Sequence, residues 1–266
     1  MRLFYGWVIV GTSFSITGLV YPSWHLFSVF YVAMLQEFGW SRADTAAAFS
    51  FFTIVYALSA VVAGRLVVRF GVQRVIRAGG VVLMAGIAAT SLVQERWHLY
   101  LLYSVITAVG CAAAGSIPNM TTVQNWFVRR RGLASGVSGA GIGVGMMVLA
   151  PTLQLIISTA GWRAAYLTLA ALTLLVIPLS FLHRRSPSDI GLYPDGDPAP
   201  PPRPAEARRA IAPEWTVGTA VRTGRYWLLF FGYVLGMFSV QLVLVHQVAA
   251  LTDAGYDRLV AASVVG

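Results

Sequence analysis

The chain has 266 residues, a mean hydropathy of +0.71, 57% hydrophobic against 11% charged residues, and a formal charge of +9. Those values exclude an ordinary soluble domain and read as a polytopic membrane protein. The single cysteine, Cys111, sits in an apolar run and leaves no disulfide framework.

Apolar stretches long enough to cross a hydrocarbon core of about 30 Å lie near 5–35, 44–68, 75–94, 98–121, 133–158, 163–182 and 226–251. An eighth begins near 259. The first has no small-residue cleavage pattern before the next span, so it reads as a retained helix and not a signal peptide. It opens on an aromatic anchor, Tyr5-Gly6-Trp7, and ends near Glu37 to Trp40, where Ser41 can N-cap span 2. Span 2 runs into the arginine-rich turn 64–77, span 3 exits at Gln94-Glu95-Arg96, and span 4 returns through Cys111 to Pro118-Asn119. Arg129, Arg130 and Arg131 follow. Span 5 then carries Gly136, Gly139, Gly141, Gly143 and Gly145, with Pro151 beyond them. Gly161-Trp162-Arg163 turns the chain into span 6, which ends at His183-Arg184-Arg185. Residues 184–224 are rich in Pro, Ala and Arg without apolar periodicity and read as a flexible linker. The expected organisation is a six-helix transmembrane bundle at 1–183, a cytoplasmic linker at 184–224, and the start of a second bundle at 225–266.

Three consecutive arginines cannot enter hydrocarbon, where each costs at least about 2.5–3.5 kcal/mol. They must lie at a membrane surface. All 19 basic residues are arginine, and with the N-terminus inside, fifteen fall on the inner side against four (Arg42, Arg96, Arg163, Arg258) on the outer. The positive-inside bias therefore expects a cytoplasmic N-terminus in the cell membrane, inner or plasma. The surplus charge sorts by loop, so it reads as topology and not as a nucleic-acid surface.

A repeat supports two halves. Residues 32–46 (VAMLQEFGWSRADTA) and 248–262 (VAALTDAGYDRLVAA) align at an offset of 216 with six identities, and Glu37 meets Asp253. Both lie where a first helix turns into a second, and parallel six-helix repeats are a known transporter plan. The glycine run 139–145 lies inside an apolar span, not between a strand and a helix, so it does not read as a dinucleotide loop. Gly139/Gly143 and Gly141/Gly145 instead form i,i+4 pairs for close helix packing. No P-loop, nucleophile elbow or metal-ligand cluster occurs; no enzyme, cofactor or metal site is expected.

The block 126–136 (WFVRRRGLASG), Pro151, Gly161-Trp162-Arg163 and 246–255 (HQVAALTDAG) resemble the major facilitator superfamily, in particular its monocarboxylate transporter-like and oxalate/formate antiporter-like branch. The resemblance implies an all-α fold with twelve helices, of which this chain would hold the six-helix N-terminal bundle, the seventh helix and part of the eighth; the chain is expected to be truncated. It implies a cytoplasmic loop motif at Gly64, Arg69, Gly71 and Arg74, with Val68 where an Asp usually helps lock that side. It also implies that Arg129, Arg130, Arg131 and Gly132 act as a latch besides anchoring topology.

His25 falls where related carriers place a lysine that handles proton and substrate, and Pro22 can break the helix beside it. The alternative is an interfacial Trp-His anchor. Tyr21 shares its face at i,i+4 and could donate to an anion; Asn119 is a polar group deep in span 4, for substrate or for helix packing. The offset sets Gln241 opposite His25, and His246 lies five residues further outward. All ten acids fall in turns or the linker, which suits an anionic or neutral substrate over a cation. The expected activity is secondary transport of small carboxylates by alternating access, driven by protons or by anion exchange. The partners are the lipid bilayer, a small anionic solute and protons, with no nucleic acid. A non-transporting membrane component and an exporter of another small molecule are the alternatives.

Overall fold

The computed structural model describes residues 4–198 and 217–255, except for the side chains of 217, 241, 242 and 244–253. The chain divides near residue 199 into two compact units. The described residues are helical and contain no strand. Five helical stretches are long and apolar enough to cross a membrane: Tyr5–Phe38, Arg42–Phe70, Val72–Thr90, Arg96–Trp126 and Arg131–Ser180. The last reverses at Gly161, whose φ of 86° suits a residue without a Cβ, and so makes two crossings. The first unit therefore has six.

Three crossings are discontinuous: the first, the fourth and the sixth. The first comprises α1 (Tyr5–Val20), α2 (Pro22–His25) and α3 (Phe27–Phe38). Pro22 lacks the N–H that would continue α1, and the chain turns at Tyr21. α4 (Arg42–Phe70) is continuous; Ser41 caps it, its hydroxyl accepting the amide of Asp44 at 3.1 Å, as the sequence leads one to expect. α5 (Val72–Thr90) follows across Gly71. The fourth crossing runs through α6 (Arg96–Leu99), a π-helical stretch (Tyr100–Thr107), α7 (Ala108–Ala114) and α8 (Ser116–Trp126), with non-helical Gly115 between the last two. α9 (Arg131–Thr173) and α10 (Val176–Ser180) complete the bundle.

α1 packs along α9, and glycines set the spacing. A Cβ on Gly141 would strike the backbone of Phe14, and one on Gly145 the backbone of Gly18. Gly139 makes only ordinary contact with Met120, and Gly143 faces open space. Pro151 is accommodated inside α9 without a break there. Ile54, Leu58, Val61 and Val62 remain exposed along α4, an apolar surface suited to hydrocarbon.

The two ends of the bundle differ in charge. At one end Glu37 accepts from Arg163 and from the Trp162 indole, both at 2.6 Å, and Arg96 meets Asp44 at 2.8 Å. The other end is rich in arginine. There Trp126 and Phe127, fully buried, pack with Phe4, Tyr5, Trp7, Ile9 and Val10. Tyr5 and Trp7 thus partner this aromatic plug. The indole of Trp126 donates to the Arg184 carbonyl at 3.0 Å, and the Tyr5 hydroxyl to that of Leu182 at 2.8 Å.

The start of the expected linker is a docked strap. Short 3-10 turns at Pro187–Ile190 and Pro194–Gly196 carry Asp195 onto the arginine turn. Its carboxylate accepts from the amides of Val128 and Arg129 at 3.1 and 2.9 Å, and Arg129 donates to Asp197 at 2.6 Å. Polar contacts hold this segment, so apolar periodicity does not reveal it. In the second unit α11 (Val217–Ala220) precedes α12 (Gly224–Asp253), which matches the expected seventh span.

Candidate functional site

The breaks in the first and fourth crossings are joined by one side chain. Tyr21, at the α1–α2 turn, places its hydroxyl 2.6 Å from that of Ser116 and 3.0 Å from that of Tyr56 on α4. The same oxygen accepts the Ser116 amide at 3.3 Å. Three crossings thus converge on one phenol oxygen at mid-helix, where freed backbone groups need partners.

His25 stacks in register with Trp24 (5.0 Å between centroids, 6° between planes) and beyond it with Tyr21 (5.8 Å, 16°). The imidazole is half-buried, and its nitrogens form no hydrogen bond among the described residues. Trp24 also packs on Tyr56 at 4.4 Å and Phe52 at 5.6 Å, which makes an aromatic wall beside the hydroxyls. Asn119 is fully buried and holds the other break: its amide nitrogen donates to the carbonyls of Ala114 and Gly115 at 2.8 and 2.6 Å. The Asn119 Oδ1 and the Trp24 Nε1 are buried without a partner among the described residues.

The structure therefore brings Tyr21, His25 and Asn119 into one neighbourhood. Gln241 and His246 have side chains outside the described residues. Two members escape sequence reasoning, Tyr56 and Ser116, and Trp24 entered it only as the partner of His25 in an interfacial anchor. The Gly115-Ser116 pair two residues before Pro118 signals a break and could have pointed to Ser116. Tyr56, in a largely apolar helix, carries no such signal. Chemically the cluster offers hydroxyl donors, a titratable imidazole and an aromatic face. Among the described residues no group of three His, Cys, Asp or Glu could hold a metal ion.

The loop residues act separately. Gly71 takes φ 86° at the α4–α5 turn, Gly64 and Gly132 face open space, Arg69 lies over the Phe70 ring at 5.2 Å, and Val68 is 72% exposed. Arg131 donates from Nε to the carbonyls of Phe127 at 2.7 Å and Gln124 at 3.2 Å, tying off α8. Arg129 pairs with the strap, whereas the Arg130 side chain is exposed. Burial alone would raise the Asp195 carboxyl, but the amides of Arg129, Val128 and Arg130 and the Arg129 charge outweigh it and hold it below its ordinary value.

With that geometry in place, the sequence matches the Major Facilitator Superfamily over residues 13–266, and the chain belongs to that family. It is a multi-pass membrane protein. Monocarboxylate transporter 11 of Homo sapiens is 32% identical over 264 residues, covering 94% of this chain and 54% of the relative. Monocarboxylate transporter 3 of Rattus norvegicus is 32% identical over 269 residues, covering 98% and 52%. These relatives are transporters and not enzymes. In fold the chain is similar to a crystal structure of a variant of the peptide transporter POT in complex with alafosfalin, with a TM-score of 0.57 at 18% identity over 91% of this chain and 51% of that one. The chain spans about half the length of the curated relatives it matches.

Proposed function

We propose that this chain forms the N-terminal part of a secondary carrier of small carboxylates. The carrier works by alternating access, coupled to protons or to anion exchange. The observation that carries the reading is the Tyr21 hydroxyl held between Ser116 and Tyr56, with the His25 ring, unbonded among the described residues, stacked beside it. Hydroxyls and a protonatable imidazole can bind a carboxylate and carry its proton, and the described acids of the first unit, Glu37, Asp44, Glu95, Asp189, Asp195 and Asp197, lie at helix ends, in turns or in the strap. The names of the monocarboxylate transporter relatives point the same way. Gln241 and His246 are proposed as the matching contribution from the second half. The arginine turns at Gly64 to Arg74 and at Arg129 to Gly132, with the docked strap, are proposed as a cytoplasmic gate. The domains are proposed as 1–183, 184–224 and 225–266.

Uptake of labelled lactate, pyruvate or oxalate by proteoliposomes holding the chain tests the reading. His25→Ala is expected to abolish the pH dependence of uptake with protein level unchanged. Unaltered pH dependence would remove His25 from proton coupling, and no carboxylate flux with folded protein would favour a non-transporting component.

The arginine-rich end is proposed to face the cytoplasm of the inner or plasma membrane. It holds Arg65, Arg69, Arg74, Arg77, Arg129, Arg130, Arg131, Arg184 and Arg185, against Arg42, Arg96 and Arg163 at the other. Cys111 is fully buried, so Arg130→Cys supplies a single reactive thiol. An impermeant thiol reagent is expected to reach it only in inside-out vesicles; labelling in intact cells would reverse the orientation.

A further inference from the structure

A groove of about 470 Å³ opens at the arginine-rich end between the α4–α5 turn and the chain that follows α10. Arg74, Arg184 and Arg185 line it. All three side chains are exposed, and none forms an ion pair or side-chain hydrogen bond among the described residues. Their backbone is nevertheless fixed: the Arg184 carbonyl accepts the Trp126 indole at 3.0 Å and the Arg185 carbonyl accepts the Asn125 amide at 3.2 Å. The one acid of the groove, Asp189, is engaged by the Ser186 amide and hydroxyl at 3.1 and 3.0 Å. Phe70, Val72 and Ile190 supply an apolar wall beside the three charges. The spans end at this level, α4 at Phe70 and α10 at Ser180, which is where lipid headgroups lie.

We propose that this groove binds the headgroup of an anionic phospholipid. The phosphate is held by Arg74, Arg184 and Arg185, and the lipid's apolar part lies along Phe70, Val72 and Ile190. Guanidinium groups match phosphate oxygens in fork geometry, and basic pockets at the ends of membrane helices attract anionic lipid. The volume falls within the range of about 300–1,000 Å³ usual for ligand sites. Val68, where the resemblance leads one to expect an acid, leaves the turn without a carboxylate at that position. The uncompensated charge selects an anionic headgroup over a zwitterionic one.

The test is lipid retention by the purified chain in nanodiscs of phosphatidylcholine doped with phosphatidylglycerol, read by native mass spectrometry after extraction. Retention of phosphatidylglycerol over phosphatidylcholine is expected at a ratio on the order of a hundredfold for three arginines. The combined variant Arg74→Gln, Arg184→Gln and Arg185→Gln should lose that preference while Arg→Lys at the same positions keeps most of it. A charge-matched control, Arg65→Gln with Arg222→Gln and Arg225→Gln, should leave it intact. Equal loss in the control would assign the effect to diffuse surface charge and overturn the site. Absence of any preference in the unaltered chain would also overturn it. Displacement of the lipid by millimolar inorganic phosphate would make the groove a soluble-anion site and refute the lipid assignment.

Discussion

Tyr21 has one hydroxyl, and three helical crossings share it. An ordinary buried hydrogen bond contributes about 1 kcal/mol, so the value of this one lies in position: it sets the distance between two helix breaks. His183 shows the opposite use of a polar group. It is fully buried, its Nε2 lies 3.2 Å from the Ser13 hydroxyl, and burial pushes its imidazole down from 6.5 to about 4. The folded chain therefore keeps His183 neutral, while the unfolded chain takes up a proton once pH falls below 6.5. Stability is fully present above that value and falls as the pH drops towards 4, by up to roughly 3 kcal/mol. Thermal unfolding in detergent between pH 7 and pH 4.5 should show this slope, and His183→Gln should flatten it; an unchanged slope in the variant would assign the effect elsewhere.

Among the elements, α1 and α9 are held together by shape, because exposed ion pairs such as Glu37–Arg163, with side chains 41% and 43% exposed, contribute only about 0–1 kcal/mol. Gly141 and Gly145 admit the α1 backbone, whereas Gly143 does not touch it. Gly141→Ala should accordingly destabilise by about 1–3 kcal/mol in thermal unfolding, through overpacking. Gly143→Ala should be neutral or gain up to about 1 kcal/mol of helix propensity. Equal effects at the two positions would contradict the packing described. The sequence suggested both i,i+4 glycine pairs, since spacing alone cannot tell which stripe of a helix meets a neighbour. The spans themselves were legible, because apolar length and arginine placement are local properties. The break at Pro22 was legible for the same reason. Tyr56 and the docked strap were not: a tyrosine in an apolar helix gains meaning only from what the fold sets opposite it, and Asp195 is held by amides far away in the chain.

Across the first unit as a whole, the two ends and the middle have separate tasks. The carboxylate–arginine end ties crossings 1 to 6 and 2 to 4, the arginine-rich end seals around Trp126 and Phe127, and the breaks between them leave polar groups at mid-depth. Alternating access requires a site at that depth. Under the proposed function, the cluster around Tyr21 receives a small carboxylate. Ser116 is half-buried beside Tyr21, and the single native thiol is fully buried, so Ser116→Cys reports on this place alone. The rate at which a small anionic thiosulfonate modifies the Ser116→Cys variant should fall when lactate, pyruvate or oxalate is added, and fall less with an uncharged amide of the same size. A rate that no carboxylate changes would contradict the account.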